Sequence, residues 1–426
     1  MVEFLRRYKV VMLLMVIAVA YFPRFASRPD GMALYPLGAE ALLHGKVLEA
    51  AAQGFTYPPL FAFVMIPFVP MPMWLRNVVW YAVLVGATWL SFRLCERLTA
   101  GSFPDLAQGR RMVWLRVLAV VLSLKFMLAV LENQAYDVVV FLCVLSGLWG
   151  MQVGRNVRAA AGFALAAALK ATPLLFLPYL LLRRRVKLCL LCVVFYAGLS
   201  FLPDAFFTPH GAPHGYFVTW VRDLAVGSVR SKPAEAQTRH WEQANLLNQS
   251  LRGMVYSAVS QPDGALSRRN VLLAVYLVFG LVVFVLLLRS AGTPHALLLD
   301  GSLVLISMLM LSPQSSKSSF VALMLPYMVL SACVLLEPRS RWIGGSVLAV
   351  SFALTSLTSK DVIGKRLAEI LLTSGCVTLG TLVLLVFIGY LVLRRAGRDS
   401  LLPGGSTASS RLGNQETVEA AVGSAK

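Results

Sequence analysis

The residues able to do chemistry in this chain are few, and their surroundings set them apart. Asp30 stands where the chain leaves its first apolar run, residues 10–22, and enters a loop. A carboxylate held at a water–lipid boundary can take a proton from a hydroxyl of a lipid-borne substrate. The other reading of the same residue is an N-cap for the helix that follows it. Lys170 lies in Lys170-Ala171-Thr172-Pro173, inside a long apolar stretch, where it either meets an anionic ligand or ties a broken helix together. Glu132-Asn133-Gln134, Asn248-Gln249-Ser250, the serine-rich run from Ser312 to Ser319 with Lys317 in it, and Lys360-Asp361 all fall at the ends of apolar runs. The amide pairs serve equally as helix caps, and the serine run as an N-capped turn. Lys125 lies seven residues before Glu132; it either pairs with it or snorkels. His210, His214 and His240 lack the H-E-x-x-H pattern, which argues against a metal site.

The elements that must position these groups are membrane helices. Hydrophobic residues make up 58% of the 426 and charged residues 14%, so an all-α polytopic membrane protein is expected, with no separate soluble domain. A formal charge of +19 suggests nucleic acid until its distribution is read. Lysines and arginines come in short clusters between apolar runs, such as Arg6/Arg7/Lys9 and Arg183/Arg184/Arg185, which is the positive-inside pattern of cytoplasmic loops. The six cysteines lie in or next to apolar segments and read as small buried hydrophobes. The basic start with no small-residue cleavage site makes residues 10–22 an uncleaved first span.

With the basic clusters inside, 10–22 leads out and 74–98 returns after a half-helix over 60–68. Then 117–131 leads out and 138–153 returns. Residues 159–182 begin after Arg158 and end before Arg183, so both ends are expected inside, as a hairpin or broken helix interrupted at Lys170 to Pro173 at mid-membrane depth. Residues 188–202 lead to a long outer loop, followed by 271–288, 297–311, 320–336, 344–357 and 370–393, for about 10–13 membrane segments in all. Residues 1–398 form one transmembrane domain with outer loops over about 23–57 and 203–269; the Ser/Gly-rich 399–426 is expected to be a disordered cytoplasmic tail. In the first outer loop Leu34, Leu37, Ala41, Leu42, Leu48 and Ala51 recur at helical spacing, predicting an amphipathic surface helix with its apolar side on the membrane. Tyr57-Pro58-Pro59 stiffens the re-entry. The polar positions then gather at the outer ends of spans, which puts binding or chemistry at the outer leaflet. A lipid or sugar-lipid transporter is the competing reading, but it calls for matching helix breaks in two halves, and one break is evident here.

Taken in order, Asp30, Tyr57-Pro58-Pro59-Leu60, Asn133-Gln134, Gly162 with Ala168-Leu169-Lys170-Ala171-Thr172-Pro173, Asn248-Gln249-Ser250-Leu251 and Leu311-Ser312-Pro313 resemble the pattern of glycosyltransferase family 87. The likeness is to its mannosyltransferase-like members of GT-C fold, and it runs from residue 30 to about 330. The resemblance implies inverting transfer of a hexose from a polyprenyl-phosphate sugar to a glycan or glycolipid acceptor at the outer face of the cytoplasmic membrane. It also implies a catalytic aspartate in the first outer loop, which matches Asp30. Two departures stand out: Asn133 replaces the glycine that usually precedes the glutamine, and Lys317, Ser318 and Ser319 stand where a histidine often follows the Ser-Pro pair.

Inversion by one displacement needs a base for the acceptor hydroxyl and no acid, because phosphate already leaves well. Asp30 is the candidate base. Lys170, His240, Asn248, Gln249 and Lys317 are candidates for the donor phosphate, and Tyr57, Glu132, Asn133 and Gln134 for the acceptor or cavity. No metal site or cofactor beyond the lipid-linked sugar is called for. The expected partners are membrane lipids, donor and acceptor, without nucleic acid or an obligate protein partner.

Overall fold

The computed structural model describes residues 19–27, 30–48, 55–106, 109–222, 248–259, 268–293, 295–337 and 341–399. His240, most of the first apolar run and the tail from residue 400 lie outside them. Every regular element among the described residues is helical, as an all-α chain requires. Residues 19–26 are the helical end of the first run. They precede α1 (Asp30–Leu43), α2 (Pro59–Val64), α3 (Met73–Ser102), α4 (Arg110–Glu132), α5 (Asp137–Gln152), α6 (Asn156–Leu169), α7 (Phe176–Leu182), α8 (Val186–Phe201) and α9 (Tyr216–Trp220). Then come α10 (Leu251–Ala258), α11 (Arg268–Ser290), α12 (Ala296–Leu311), α13 (Met324–Leu336), α14 (Arg341–Phe352), α15 (Lys360–Ile363), α16 (Lys365–Thr373) and α17 (Cys376–Asp399).

Among the described residues five helices are long and apolar enough to cross a membrane: α3, α4, α11, Ser319–Leu336 around α13, and Cys376–Arg394 within α17. Shorter apolar helices, among them α5, α6, α8 and α12, fill the spaces between them. The centre is α12, buried from Leu298 to Met310, against α13, buried from Met324 to Val334. At the periphery α11 exposes Leu277, Val278 and Leu281, a surface suited to lipid tails. α5 and α6 touch backbone to backbone, since a Cβ on Gly162 would lie 2.6 Å from the Gly147 nitrogen; small residues permit that approach.

The break at Lys170 is present and has a plain cause. Pro173 lacks the N–H that would bond the Leu169 carbonyl, and its ring would crowd that carbonyl in a continuous helix, so α6 ends at Leu169 and Lys170 is extended, at φ −153° and ψ 126°. A 3₁₀ turn over Thr172–Leu175 leads into α7, where Phe176 stacks back on Phe163 with ring centres 4.4 Å apart. The segment is therefore a hairpin. Its tip is not midway along the bundle, however. The fourteen residues of α6 rise about 21 Å before the turn, which carries Lys170 to the first residue of α5. At the hairpin's base Arg183 donates to Asp300 (2.8 Å from Nε), the Leu287 carbonyl (2.8 Å) and Ser290 (2.6 Å). Asp300 is 1% exposed, and this buried pair fastens the end of α7 to α11 and α12.

Contacts join loops at each end of the bundle. At one end the His210 amide donates to the Gly45 carbonyl (2.6 Å), the Tyr216 hydroxyl to Leu42 (3.4 Å) and the Trp220 indole to Thr56 (3.1 Å), joining the first loop to the one after α8. At the other end Gln152 donates to the Leu98 carbonyl and Ser102.

Three expectations need correction. The expected span over 370–393 is two helices, because Gly375 takes φ +71°, a conformation open to glycine at little cost. Residues 370–373 instead close α16, whose Lys365, Arg366 and Glu369 are exposed while Ala368 and Leu372 are buried. The helix of the first loop ends at Leu43, and residues 44–47 are not helical; Ala51 lies outside the described residues. The helix buries Met32, Tyr35, Ala39 and Leu42 within the protein while Leu37 is 47% exposed, so its main apolar side faces the bundle rather than lipid; the spacing it shares with a membrane-surface helix does not specify which apolar phase is nearby. Finally, Lys125 does not reach Glu132, which lies about 10 Å farther along the same helix. Lys125 donates instead to the Thr355 carbonyl (2.5 Å), and Glu132 pairs with Arg24 at 2.7 Å.

Candidate functional site

The ion pair at the hairpin tip is the most concentrated polar feature at the end that carries the first loop. Asp137 is the first residue of α5, where the helix dipole favours a carboxylate. Its Oδ1 accepts from Lys170 Nζ at 2.6 Å and from the Ser319 hydroxyl at 2.8 Å, and its Oδ2 from Ser318 at 3.2 Å. Lys170 also donates to Ser319 at 3.2 Å. The lysine is extended for the reason given above, and the serines are delivered by the turn that opens the Ser319–Leu336 helix. A cavity of about 30 Å³ adjoins the pair, with Asp137, Lys170, Thr172, Ser312, Ser315 and Ser319 as its polar lining. It has room for water and none for a sugar ring.

Aromatic rings connect this pair to the start of α1. Tyr35 packs edge-on against Tyr57 (5.4 Å), Phe61 (4.9 Å) and Tyr136 (6.2 Å). Tyr57 in turn packs against Tyr136 at 5.2 Å, and the Tyr136 hydroxyl donates to the Leu169 carbonyl at 3.3 Å. Burial first, and then the nearby Asp137 charge, push the Tyr57 hydroxyl up to about 12. Tyr57 therefore stays protonated near neutrality and remains a hydrogen-bond donor. Pro58 and Pro59 place it: α2 starts at Pro59, in the first-turn position where a missing N–H costs nothing.

Of the phosphate candidates, Lys170 is already neutralised by Asp137. Asn248 and Gln249 brace the serine-rich turn. Asn248 Nδ2 donates to the Pro313 carbonyl (3.0 Å), its Oδ1 accepts from the Ser315 amide (3.1 Å), and the Gln249 amide donates to the Ser315 carbonyl (2.8 Å). Gln249 Nε2 extends the brace to the Leu372 carbonyl at the end of α16 (3.0 Å). Lys317 stands half-buried on the same turn, within electrostatic range of Lys125. His240 lies outside the described residues.

Among the acceptor candidates Tyr57 lies within electrostatic range of Asp137. Glu132 is taken by Arg24; Asn133 caps α4, its Nδ2 donating to Ala129 at 2.9 Å; and Gln134 is wholly buried. Asp30 opens α1, and the Met32 amide in its first turn bonds to Gln134 Oε1 at 2.8 Å. Among the described residues no three His, Cys, Asp or Glu side chains gather as metal ligands would.

Asp137 itself escaped the reading of spacing, as did Ser318 and Ser319 as its partners. The signal was available: Asp137 is the sole acidic residue between Glu132 and Asp204, and an isolated carboxylate entering an apolar helix is a functional-site candidate.

The model of glycosyltransferase family 87 matches residues 55–313, more than half of the chain. The chain belongs to glycosyltransferase family 87. The match takes in Tyr57, Asp137, Lys170, Asn248 and Gln249, and it stops short of Asp30 on one side and of Lys317 to Ser319 on the other. Neither the curated proteins nor the solved structures give a match. Family 87 membership and the apolar helices together make this an integral-membrane glycosyltransferase, and the transporter reading falls away.

Proposed function

We propose that this glycosyltransferase moves a mannose-like hexose from a polyprenyl-phosphate donor to a glycan or glycolipid hydroxyl at the outer face of the cytoplasmic membrane, with inversion and with Asp30 as general base. The observation that carries the reading is the convergence of Tyr35 on α1, Tyr57 and the Asp137–Lys170 pair at one end of a family 87 bundle. In the step itself the acceptor oxygen attacks C1, the C1–O bond to phosphate breaks, and polyprenyl phosphate leaves with the electron pair. The hydroxyl proton passes to the base. Two other carboxylates at this end are occupied: Asp137 accepts from a lysine and two serines, and Glu132 holds Arg24. Asp30 is assigned the base for its place in the first loop, where the family resemblance implies the catalytic aspartate. Lys317 and the serine-rich turn are the groups nearest to hand for the phosphate, and Lys170 contributes by shaping that turn through Asp137.

Purified protein in nanodiscs, given a panel of short-chain polyprenyl-phosphate hexoses and a membrane lipid extract, should form a labelled glycolipid of inverted anomeric configuration with one donor. Transfer from a nucleotide sugar alone would defeat the donor class. The orientation has its own check. His44→Cys should react in whole cells with an impermeant thiol reagent, and Arg155→Cys should not. Both positions are exposed, and they lie at opposite ends of the bundle. Equal labelling would reject the outward-facing site.

A further inference from the structure

Gln134 lies fully buried in the turn between α4 and α5, with a left-handed φ of 50°, a strained value for a side-chain-bearing residue. Its side chain is used at both ends. Oε1 accepts from the Met32 amide at 2.8 Å, while Nε2 donates to the Phe25 carbonyl at 3.2 Å and to Asn77 Oδ1 at 3.4 Å. The amide's orientation follows from these partners, since only its oxygen can accept from an N–H. The Gln134 carbonyl is held in turn by the Trp80 indole at 2.8 Å, which anchors the turn to α3. Phe25 precedes Asp30 by five residues and Met32 follows it by two, so one side chain grips the backbone on both sides of the aspartate. Gly31 fits the same joint, because a Cβ there would lie 2.7 Å from Gln134 Cβ.

We propose that Gln134 is a positioning residue for the transfer reaction: by clamping Phe25 and Met32 it sets where Asp30 stands relative to the acceptor hydroxyl, without touching substrate. The proposal rests on Asp30 being the base. A displacement of ~1 Å at a reacting group can cost about 10²-fold in rate, so loss of the clamp registers in turnover even where the helix survives. A brace of purely structural value would lower the amount of folded protein and leave the turnover of each folded molecule unchanged.

The test uses full-length protein in nanodiscs, short-chain polyprenyl-phosphate mannose as donor and a membrane lipid extract as acceptor, with rates normalised to the monodisperse fraction. Gln134→Met keeps the length of the side chain and removes all three of its hydrogen bonds; Gly31→Ala strains the joint from the other side. Each should lower kcat by about 10- to 100-fold with the donor KM nearly unchanged. In an Asp30→Asn background, Gln134→Met should cause no further loss, because the group it positions is gone. Wild-type kcat in folded Gln134→Met, or an equal further loss in the Asp30→Asn background, overturns the proposal while leaving the base assignment intact. Wild-type activity of Asp30→Asn overturns both.

Discussion

Asp30→Asn should lower the rate of sugar transfer by ~10²–10⁴-fold, the usual contribution of a general base, while expression and donor binding stay close to wild type. The substitution nearly preserves shape and removes only the ability to accept the acceptor's proton. Asp30→Glu should also be poor, because the longer side chain displaces the carboxylate. The competing role of helix cap predicts the opposite, since asparagine is among the best N-caps and activity would hardly change. Steady-state rates and donor titration on the purified variant decide the matter. Transfer at the wild-type rate would remove the base from Asp30 and return the search to Asp137.

Lys170→Met is expected to be the most destabilising single substitution at the site. The pair it breaks is largely enclosed, with side-chain exposures of 24% for Lys170 and 11% for Asp137. Removing one partner of a buried pair leaves an uncompensated charge and costs about 3–5 kcal/mol. Asp137→Asn on top of Lys170→Met should recover much of that loss, because the stranded carboxylate disappears. Thermal unfolding of the two variants and the wild type gives the comparison. A Lys170→Met protein that unfolds like wild type but binds a polyprenyl-phosphate sugar weakly would assign the lysine to the donor phosphate instead. The pair also reaches function indirectly, as Ser318 and Ser319 depend on Asp137 for their orientation and share their turn with Lys317.

Sequence alone determined the class of this protein, because burial in lipid is a bulk property: apolar runs long enough to span a bilayer, interrupted by basic clusters, have one physical solution. It also located the break at Lys170, where a charge, a hydroxyl and a proline coincide within an apolar stretch and the proline removes a helical hydrogen bond. Resemblance in the order of short motifs pointed to the glycosyltransferase family that residues 55–313 match. What spacing could not decide was which polar groups meet. Lys170 and Asp137 are 33 residues apart, and Asp137 and Ser319 are 182 apart; only the packing of α5 on α6 and the fold of the serine-rich turn bring them together. The same holds for Gln134, whose grip on Phe25 and Met32 joins segments more than a hundred residues distant. A periodic pattern fixes a helix and its apolar faces, but it leaves open whether such a face meets lipid or protein, and the tertiary structure turned that of α1 inward.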